Sequence, residues 1–248
     1  MIFVKSEKEI DLMREPCRIV KETLAFVGSK IKAGMTTKEV DELVERYIRS
    51  EGAYPSCLGY EGYPAAACIS VNDVVVHGIP DDETVLRDGD IVSVDLCAYK
   101  NGYHGDGCRT FCIGEVSPEV KQLVRVTEEC FFKGIEGLRA GTPLYDIGYR
   151  VQQYAESFGY GVIRAYTGHG IGREMHEDPS VPNYGRQGTG GRLKAGTVLC
   201  VEPMIAMGDY HLRILPDGWG AVTKDGKPAA HYENTLVIRE DGVEILTL

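Results

Sequence analysis

The sequence predicts a mixed α/β (α+β) fold in which helices cover an antiparallel β-sheet. Capped amphipathic segments with helical periodicity alternate with short apolar runs rich in β-branched residues. An Asn-Gly pair joins two long strand-like runs, and this pair is the preferred turn of an antiparallel hairpin. No linker or low-complexity stretch divides the 248 residues, so we expect a single domain spanning residues 1–248.

Each predicted helix begins at a capping signal. Two signals are capping boxes, and two place an N-cap residue before a proline at the first helical position. We expect Pro16 to kink the first helix, because proline removes a hydrogen bond from the helix interior. The four signals are Ser6-x-x-Glu9, Thr36-x-x-Glu39, Ser117-Pro118 and Thr142-Pro143.

The strand candidates comprise two hairpins, residues 67–77 and 90–113, and two apolar runs, residues 197–206 and 232–239. Asn101-Gly102 sets the register of the second hairpin. With a two-residue loop, Cys97 faces Asp106. Asp95 lies two residues from Cys97 and therefore on the same face, diagonal to Asp106.

Composition limits the partners and the compartment of the chain. The net charge of −10 at pH 7 argues against nucleic acid as a substrate. Charged residues interrupt the first ten positions, so we expect no secretory leader, and no apolar run is long enough for a membrane span. The eight cysteines contain no CxxC pair, which favours reduced thiols in the cytoplasm over a structural zinc site.

Four acidic residues lie in or beside runs that otherwise read as buried strands. For any one of them, solvent exposure is the simpler explanation. For all four together we favour compensation by cations, because buried carboxylates are costly and we expect no basic residue embedded in these strands to neutralise them. Two divalent ions that share bridging carboxylates would suit this set, with Mn, Fe, Co or Zn as candidates and no thiol required. The four residues are Asp95, Asp106, Glu202 and Glu233.

The histidines divide into two groups. His169 lies in the glycine-rich segment 168–172, and His77 and His176 lie where strands pass into loops, which is where functional sites are commonly built. A structural role remains the alternative for each of them. The spaced glycines also permit a dinucleotide-binding alternative, although no helical pattern follows them directly. The remaining histidines are interpreted as turn or surface residues: His104, His211 and His231.

Taken in this order, the motifs resemble the type I methionine aminopeptidases in their short bacterial form. The resemblance covers nearly the whole chain and implies the pita-bread fold, in which two pseudo-twofold halves build one antiparallel sheet. A weak internal repeat agrees with this, although any two amphipathic helices match about as well. The motifs are Cys57-Leu58-Gly59-Tyr60, Val76-His77-Gly78-Ile79-Pro80, the Asp95 and Asp106 hairpin, Gly168-His169-Gly170-Ile171-Gly172, Val201-Glu202-Pro203-Met204 and Tyr232-Glu233-Asn234-Thr235.

The resemblance also implies a role for individual residues. His77, His176 and Glu202 would be catalytic, with Glu202 as the proton acceptor. Met175 departs from the phenylalanine of some relatives, so a longer and softer side chain is expected to shape the pocket here. The implied metal ligands are Asp95, Asp106, His169, Glu202 and Glu233. The implied substrate-binding residues are Cys57, Tyr60, Tyr63, Cys68, His77, Met175, His176 and Trp219.

The implied activity is removal of the N-terminal methionine from nascent polypeptides with a small second residue. Two divalent metal ions (Co, Mn, Fe or Zn) would activate the attacking water. We expect a cytoplasmic monomer with no membrane partner, and the ribosome is a further candidate partner. Two alternatives stay open. An X-Pro aminopeptidase or prolidase shares the implied fold but usually adds an N-terminal domain, and a non-catalytic pita-bread binding protein would have lost metal ligands.

Overall fold

The computed structural model describes residues 3–248, which form helices around one large curved sheet and two small sheets. The helices are α1 (Glu7–Gly28), α2 (Thr37–Ser50), α3 (Pro118–Ile135) and α4 (Tyr145–Ser157). The strands of the first half are β1 (Tyr54–Pro55), β2 (Cys68–Val71), β3 (Val74–Val76), β4 (Ile91–Lys100) and β5 (Tyr103–Cys112). The later strands are β6 (Gly161–Val162), β7 (Gly168–Gly170), β8 (Glu177–Val181), β9 (Val198–Val201), β10 (Met204–Ala206), β11 (Leu212–Ile214), β12 (Ala221–Thr223), β13 (Ala229–His231), β14 (Glu233–Ile238) and β15 (Val243–Ile245).

The large sheet runs in the order β1-β4-β5-β14-β9-β7-β8, with β2 also on β4 and β15 also on β14. Its strand pairs are antiparallel, which confirms the predicted class of sheet. The centre of the sheet is the pairing of β5 with β14. Helices α1 and α2 pack on β4 through one apolar cluster, and α3 and α4 pack on β9 and β14 through another. This arrangement in two similar halves agrees with the expected pita-bread architecture.

The capping signals locate three of the four helix starts. Ser6 and Thr36 each accept a hydrogen bond in a complete capping box, and Ser117 caps α3 ahead of Pro118. The prediction at Thr142-Pro143 is wrong, because α4 begins at Tyr145 without a side-chain cap. Pro143 instead forms an isolated bridge with Arg192, so a tertiary contact holds these residues outside the helix.

The β4–β5 hairpin has the predicted register, with Cys97 opposite Asp106 and Lys100 opposite Tyr103. Asn101 and Gly102 have φ angles of +57° and +83°, as a type I′ turn requires. On the outer face of β5, a Cβ at Gly105 would lie 2.7 Å from the backbone nitrogen of Cys17, so α1 packs directly against this strand. Because side chains alternate along a strand, Asp106 points to the opposite, inner face.

Two other strand predictions need correction. Residues 67–77 contain strands β2 and β3, but β2 pairs with β4 whereas β3 pairs with β12 in a separate sheet. The Asn72 amide, at the turn, bonds to Asp90 and to the backbone of Ile91, which keeps β2 beside β4. Residues 197–206 are likewise two strands in two sheets. Pro203 has no N–H for the ladder, so β9 ends before it.

Candidate metal centre and substrate cavity

The five predicted metal ligands lie on, or directly after, neighbouring strands across the middle of the large sheet. Asp95 is on β4, Asp106 on β5 and Glu233 on β14, while Glu202 directly follows β9 and His169 is on β7. Residues separated by more than a hundred positions in sequence thus come together because the two halves of the sheet meet. Convergence of all five positions on one inner surface fits the sequence-based prediction of a shared centre.

Distances between side chains show how close this convergence is. Asp106, His169 and Glu233 offer ligand atoms that lie within 4.8 Å of one another. His169 Nε2 is 3.6 Å from Glu202 Oε1 and 4.0 Å from Asp106 Oδ2. The Asp95 carboxyl shares a hydrogen bond with Glu233, which joins it to the same cluster.

One member of the cluster, Cys200, was absent from the sequence-based prediction. Its thiol lies within the same 4.8 Å group as Asp106, His169 and Glu233, and it is fully buried. The available signal was its spacing, because Cys200 stands two residues before Glu202 and so shares a face of the chain with it. The register confirms the placement, since Cys200 lies opposite His169.

The cluster is electrostatically unfavourable without a cation. Burial raises the pKa of Asp95 to about 7, and the hydrogen bond with Glu233 offsets part of this rise. Burial, followed by the charges of neighbouring carboxylates, raises the pKa values of Asp106, Glu202 and Glu233 well above their usual range. A basic residue, Arg109, does lie in β5, contrary to expectation. Its guanidinium donates to backbone carbonyls and to the Asn234 side-chain oxygen, so Arg109 does not pair with the carboxylates.

The hydrogen bonds of His169 also fit a metal ligand. Its Nδ1 lies 2.8 Å from the carbonyl oxygen of Gly170, so Nδ1 carries the proton and Nε2 presents a lone pair to the cluster. Burial, and then the nearby His176, lowers the pKa of His169 to about 3. Buried Oε1 of Glu233 has no hydrogen-bond partner in the part of the chain that the structure describes, which leaves this oxygen available as a ligand. A neutral imidazole and four carboxylates therefore fit a divalent metal site.

The glycines around His169 serve close packing. A Cβ at Gly170 would lie 2.2 Å from the carbonyl oxygen of Asp178, so only glycine lets β7 approach β8 at this point. The next regular element after β7 is strand β8, without an intervening helix. The dinucleotide-binding alternative lacks the helix N-terminus on which it depends.

Two cavities meet at the acidic cluster and share four residues: His77, Asp95, Asp106 and His176. The first cavity, of about 230 Å³, is smaller than a typical drug-sized pocket, and its size suits a single side chain. All eight predicted substrate-binding residues line this cavity: Cys57, Tyr60, Tyr63, Cys68, His77, Met175, His176 and Trp219. Glu61, which was not predicted, lines it as well. The second cavity also includes Tyr166, His169, Glu202, His231 and Glu233.

The two non-ligand histidines border both cavities. His176 Nδ1 lies 2.8 Å from the Tyr60 hydroxyl, and its ring contacts His169 edge-on with centroids 4.4 Å apart. His77 has a φ of +59°, a strained value for a non-glycine residue, and it packs edge-on against Tyr166 and Trp219. Burial, then the charge of His176, lowers the pKa of His77 to about 4, so a neutral imidazole faces the cavities.

The interpretation of His231 as a turn or surface residue is wrong. This side chain on β13 is 1% exposed, lines the second cavity and places Nε2 3.8 Å from Glu202 Oε2. Its position depends on the pairing of β13 with β10, which local sequence does not reveal. Of the other two histidines, His211 is exposed as expected, whereas His104 is half-buried and bonds to Ser56.

Comparison with known proteins identifies the family. The model of metallopeptidase family M24 matches residues 11–240. A methionine aminopeptidase of Clostridium acetobutylicum is 52% identical over 100% of this chain and 99% of its own length. The crystal structure of methionine aminopeptidase from Rickettsia prowazekii has a TM-score of 0.98 at 43% identity and 100% coverage of both chains. A prolidase from Pyrococcus furiosus, at 24% identity and a TM-score of 0.80, shares the fold over 65% of its chain.

The fold and the acidic centre define a hydrolase of the pita-bread class that depends on divalent metal. The chain belongs to metallopeptidase family M24. Within residues 3–248, every helix falls short of the length and apolar character that a membrane crossing requires.

Proposed function

We propose that this chain removes the N-terminal methionine from nascent proteins and peptides whose second residue is small. The observation that carries this proposal is the side-chain-sized cavity, lined by thiols, a thioether and aromatic rings, that opens onto the acidic cluster. Polarisable sulfur and aromatic groups suit the thioether of methionine. The relatives named methionine aminopeptidase match the chain over almost their full length, which supports the same substrate.

Five converging side chains would hold the divalent metal: Asp95, Asp106, His169, Glu202 and Glu233. Bound divalent ions supply a water of lowered pKa and polarise a carbonyl oxygen. The side chains of this protein then transfer the proton and bind the peptide. Glu202 accepts the proton of the attacking water, and its position at the edge of the cluster supports this role.

His176 and His77 act on the peptide itself. The Tyr60 hydroxyl orients the His176 ring through Nδ1, and its other nitrogen is available to stabilise the oxyanion that forms at the carbonyl. His77 contacts the peptide nitrogen that leaves. The cavity admits a single side chain, and the acidic cluster attracts the free α-ammonium group, so cleavage is limited to the first residue.

The test is a peptide assay on metal-stripped protein supplied with Mn, Fe, Co or Zn. We expect hydrolysis of Met-Ala-Ser and Met-Gly-Ser, slower hydrolysis as the second residue grows, and no release from Ala-Pro-Ser. Asp106→Asn protein serves as the inactive control for contaminating peptidases. Absence of methionine release with every metal, from folded protein, would contradict the proposal.

The alternative activity is that of an X-Pro aminopeptidase or prolidase, and the likeness to the Pyrococcus furiosus prolidase supports a shared fold. That enzyme extends well beyond the region this chain matches, whereas methionine aminopeptidases match end to end. Preferred cleavage of Ala-Pro-Ser would favour this alternative. A non-catalytic binding protein is less consistent with a filled set of ligand positions, and metal analysis of purified protein distinguishes it.

We further propose that residues 1–248 act as one catalytic domain, because one sheet contributes four of the five ligand positions and the fifth, Glu202, directly follows one of its strands. We also propose a cytoplasmic location, because nascent chains emerge there, and a monomeric protein. The ribosome is a candidate partner on the same ground.

A further inference from the structure

His231 is a buried polar residue without an assigned role. It is 1% exposed, and within residues 3–248 neither ring nitrogen has a hydrogen-bond partner. A neutral imidazole carries one N–H donor and one acceptor nitrogen, and native proteins rarely leave such groups unpaired in their interior. The unmatched polar atoms therefore indicate a partner that comes within reach in the working protein.

The nearest charged partner is Glu202, which lies between two imidazoles. Its Oε1 is 3.6 Å from His169 Nε2, and its Oε2 is 3.8 Å from His231 Nε2. Because the proton of His169 is on Nδ1, bonded to Gly170, His169 Nε2 has no hydrogen to donate. His231 Nε2 is then the imidazole nitrogen that can donate to this carboxylate.

The backbone of His231 is held firmly in place. Its N–H donates to Thr110 Oγ1 at 3.0 Å, and the same hydroxyl donates to the His231 carbonyl oxygen at 2.8 Å. Across the small sheet His231 pairs with Met204, which follows Glu202 by two residues. These contacts fix the position of the His231 backbone, and so the direction of its Cα–Cβ bond, relative to Glu202.

We propose that His231 is a positioning residue whose Nε2–H donates to Glu202 Oε2 when divalent metal is bound. The inference rests on the proposed function, since that proposal assigns Glu202 to the metal. The present separation exceeds hydrogen-bond length, and small shifts of two side chains close it. Carboxylates that bind metals are themselves commonly held by hydrogen bonds, so that one oxygen is fixed while the other is presented to the ion.

Two variants separate a donor from a packing role. His231→Gln keeps an N–H donor at similar reach, whereas His231→Leu fills the space without one. We expect Mn²⁺ titrated into the metal-stripped His231→Leu protein to bind about 10-fold more weakly or worse, with lowered kcat and nearly unchanged KM, while His231→Gln stays within about threefold of the unmodified protein. His211→Gln, at an exposed histidine bonded to Asp209, is the matched control.

The proposal is overturned if His231→Leu keeps the affinity and kcat of the unmodified protein, or if His231→Gln loses as much as His231→Leu. Unmodified protein that binds no Mn²⁺ would refute the proposed function instead. If His231→Leu fails to fold, the proposal is tested instead by locating the proton on the His231 ring of the unmodified protein by NMR. In ¹⁵N-histidine-labelled, Zn²⁺-loaded protein we expect a proton on His231 Nε2 and none on Nδ1, with the signal assigned by its loss in His231→Gln. Any other proton placement contradicts the proposal.

Discussion

At the scale of single residues, the site combines groups that are individually unfavourable. Asp106 occupies a strand interior with little exposure, and its carboxylate lies near those of Asp95 and Glu233. Such a set is stable in its charged form only with a cation among its members. The same reasoning makes the effect of removing one ligand large, because the remaining ligands lose both geometry and charge balance.

We predict that Asp106→Asn abolishes turnover and lowers metal content. The amide keeps the shape of the side chain but removes the negative charge that a divalent ion needs. Metal analysis after gel filtration and a Met-Ala-Ser assay measure the two effects. Asp82→Asn, at an exposed loop position, is the control and should retain both properties. A fully active Asp106→Asn protein would remove Asp106 from the ligand set.

We predict that His176→Ala lowers kcat by about 10²-fold or more while metal content is unchanged, by analogy with loss of an oxyanion donor. The ring stands beside His169, and Tyr60 orients it, but it is not among the proposed ligands. Steady-state kinetics with parallel metal analysis separate the two properties. An unchanged kcat would make His176 a structural residue.

At the scale of elements, short sequence motifs predicted correctly those features that interactions between neighbouring residues determine. Asn101-Gly102 gave the hairpin register, because a type I′ turn needs positive φ at both positions and those residues supply it. Thr142-Pro143 carried an equally clear start signal and was wrong, because a bridge to Arg192 overrides it. The burial of His231 arises from β10 and Thr110, far away in sequence, so no local pattern could indicate it. The resemblance to a family indicated which residues, distant in sequence, come together in the site. Periodicity could not indicate this, because it reports only on neighbours along the chain.

Strand β7 illustrates how an element positions a ligand. We predict that Gly170→Ala displaces His169, because the added Cβ would lie 2.2 Å from a backbone oxygen of the neighbouring strand. The expected result is weaker metal binding and a lower melting temperature, measured by calorimetry. Gly191→Ala is the control, since a Cβ there meets nothing within 4 Å, and it should leave both unchanged. Equal behaviour of the two variants would argue against close packing at β7.

At the scale of the whole molecule, the centre lies where the two halves of the sheet join, with Asp106 on β5 and Glu233 on β14. On the proposed ligand set, metal bound there would connect both halves and stabilise the folded state against the unfolded chain, which has no such site. Metal binding and the stability of the entire fold are therefore linked.

The linkage has a defined pH dependence. In the metal-free protein, burial raises the pKa of Asp95 from 3.8 to about 7, so the folded state holds a proton that the unfolded chain releases. Stability of the metal-free protein therefore falls as pH rises through that window. Metal needs the deprotonated carboxylates, and its stabilising effect grows over the same range. We predict that saturating Mn²⁺ raises Tm more at about pH 7.5 than at about pH 5. Equal gains at both pH values would contradict this.

The central claim is that four carboxylates and one imidazole converge on divalent metal. Its most direct test is anomalous diffraction from crystals grown with Mn²⁺, recorded on both sides of the manganese absorption edge. We predict two anomalous peaks in the cavity, with Asp95, Asp106, His169, Glu202 and Glu233 each contributing an atom within about 2.3 Å of a peak. Ordered crystals with no peak at this cluster, or with peaks bound by other residues, would contradict the account.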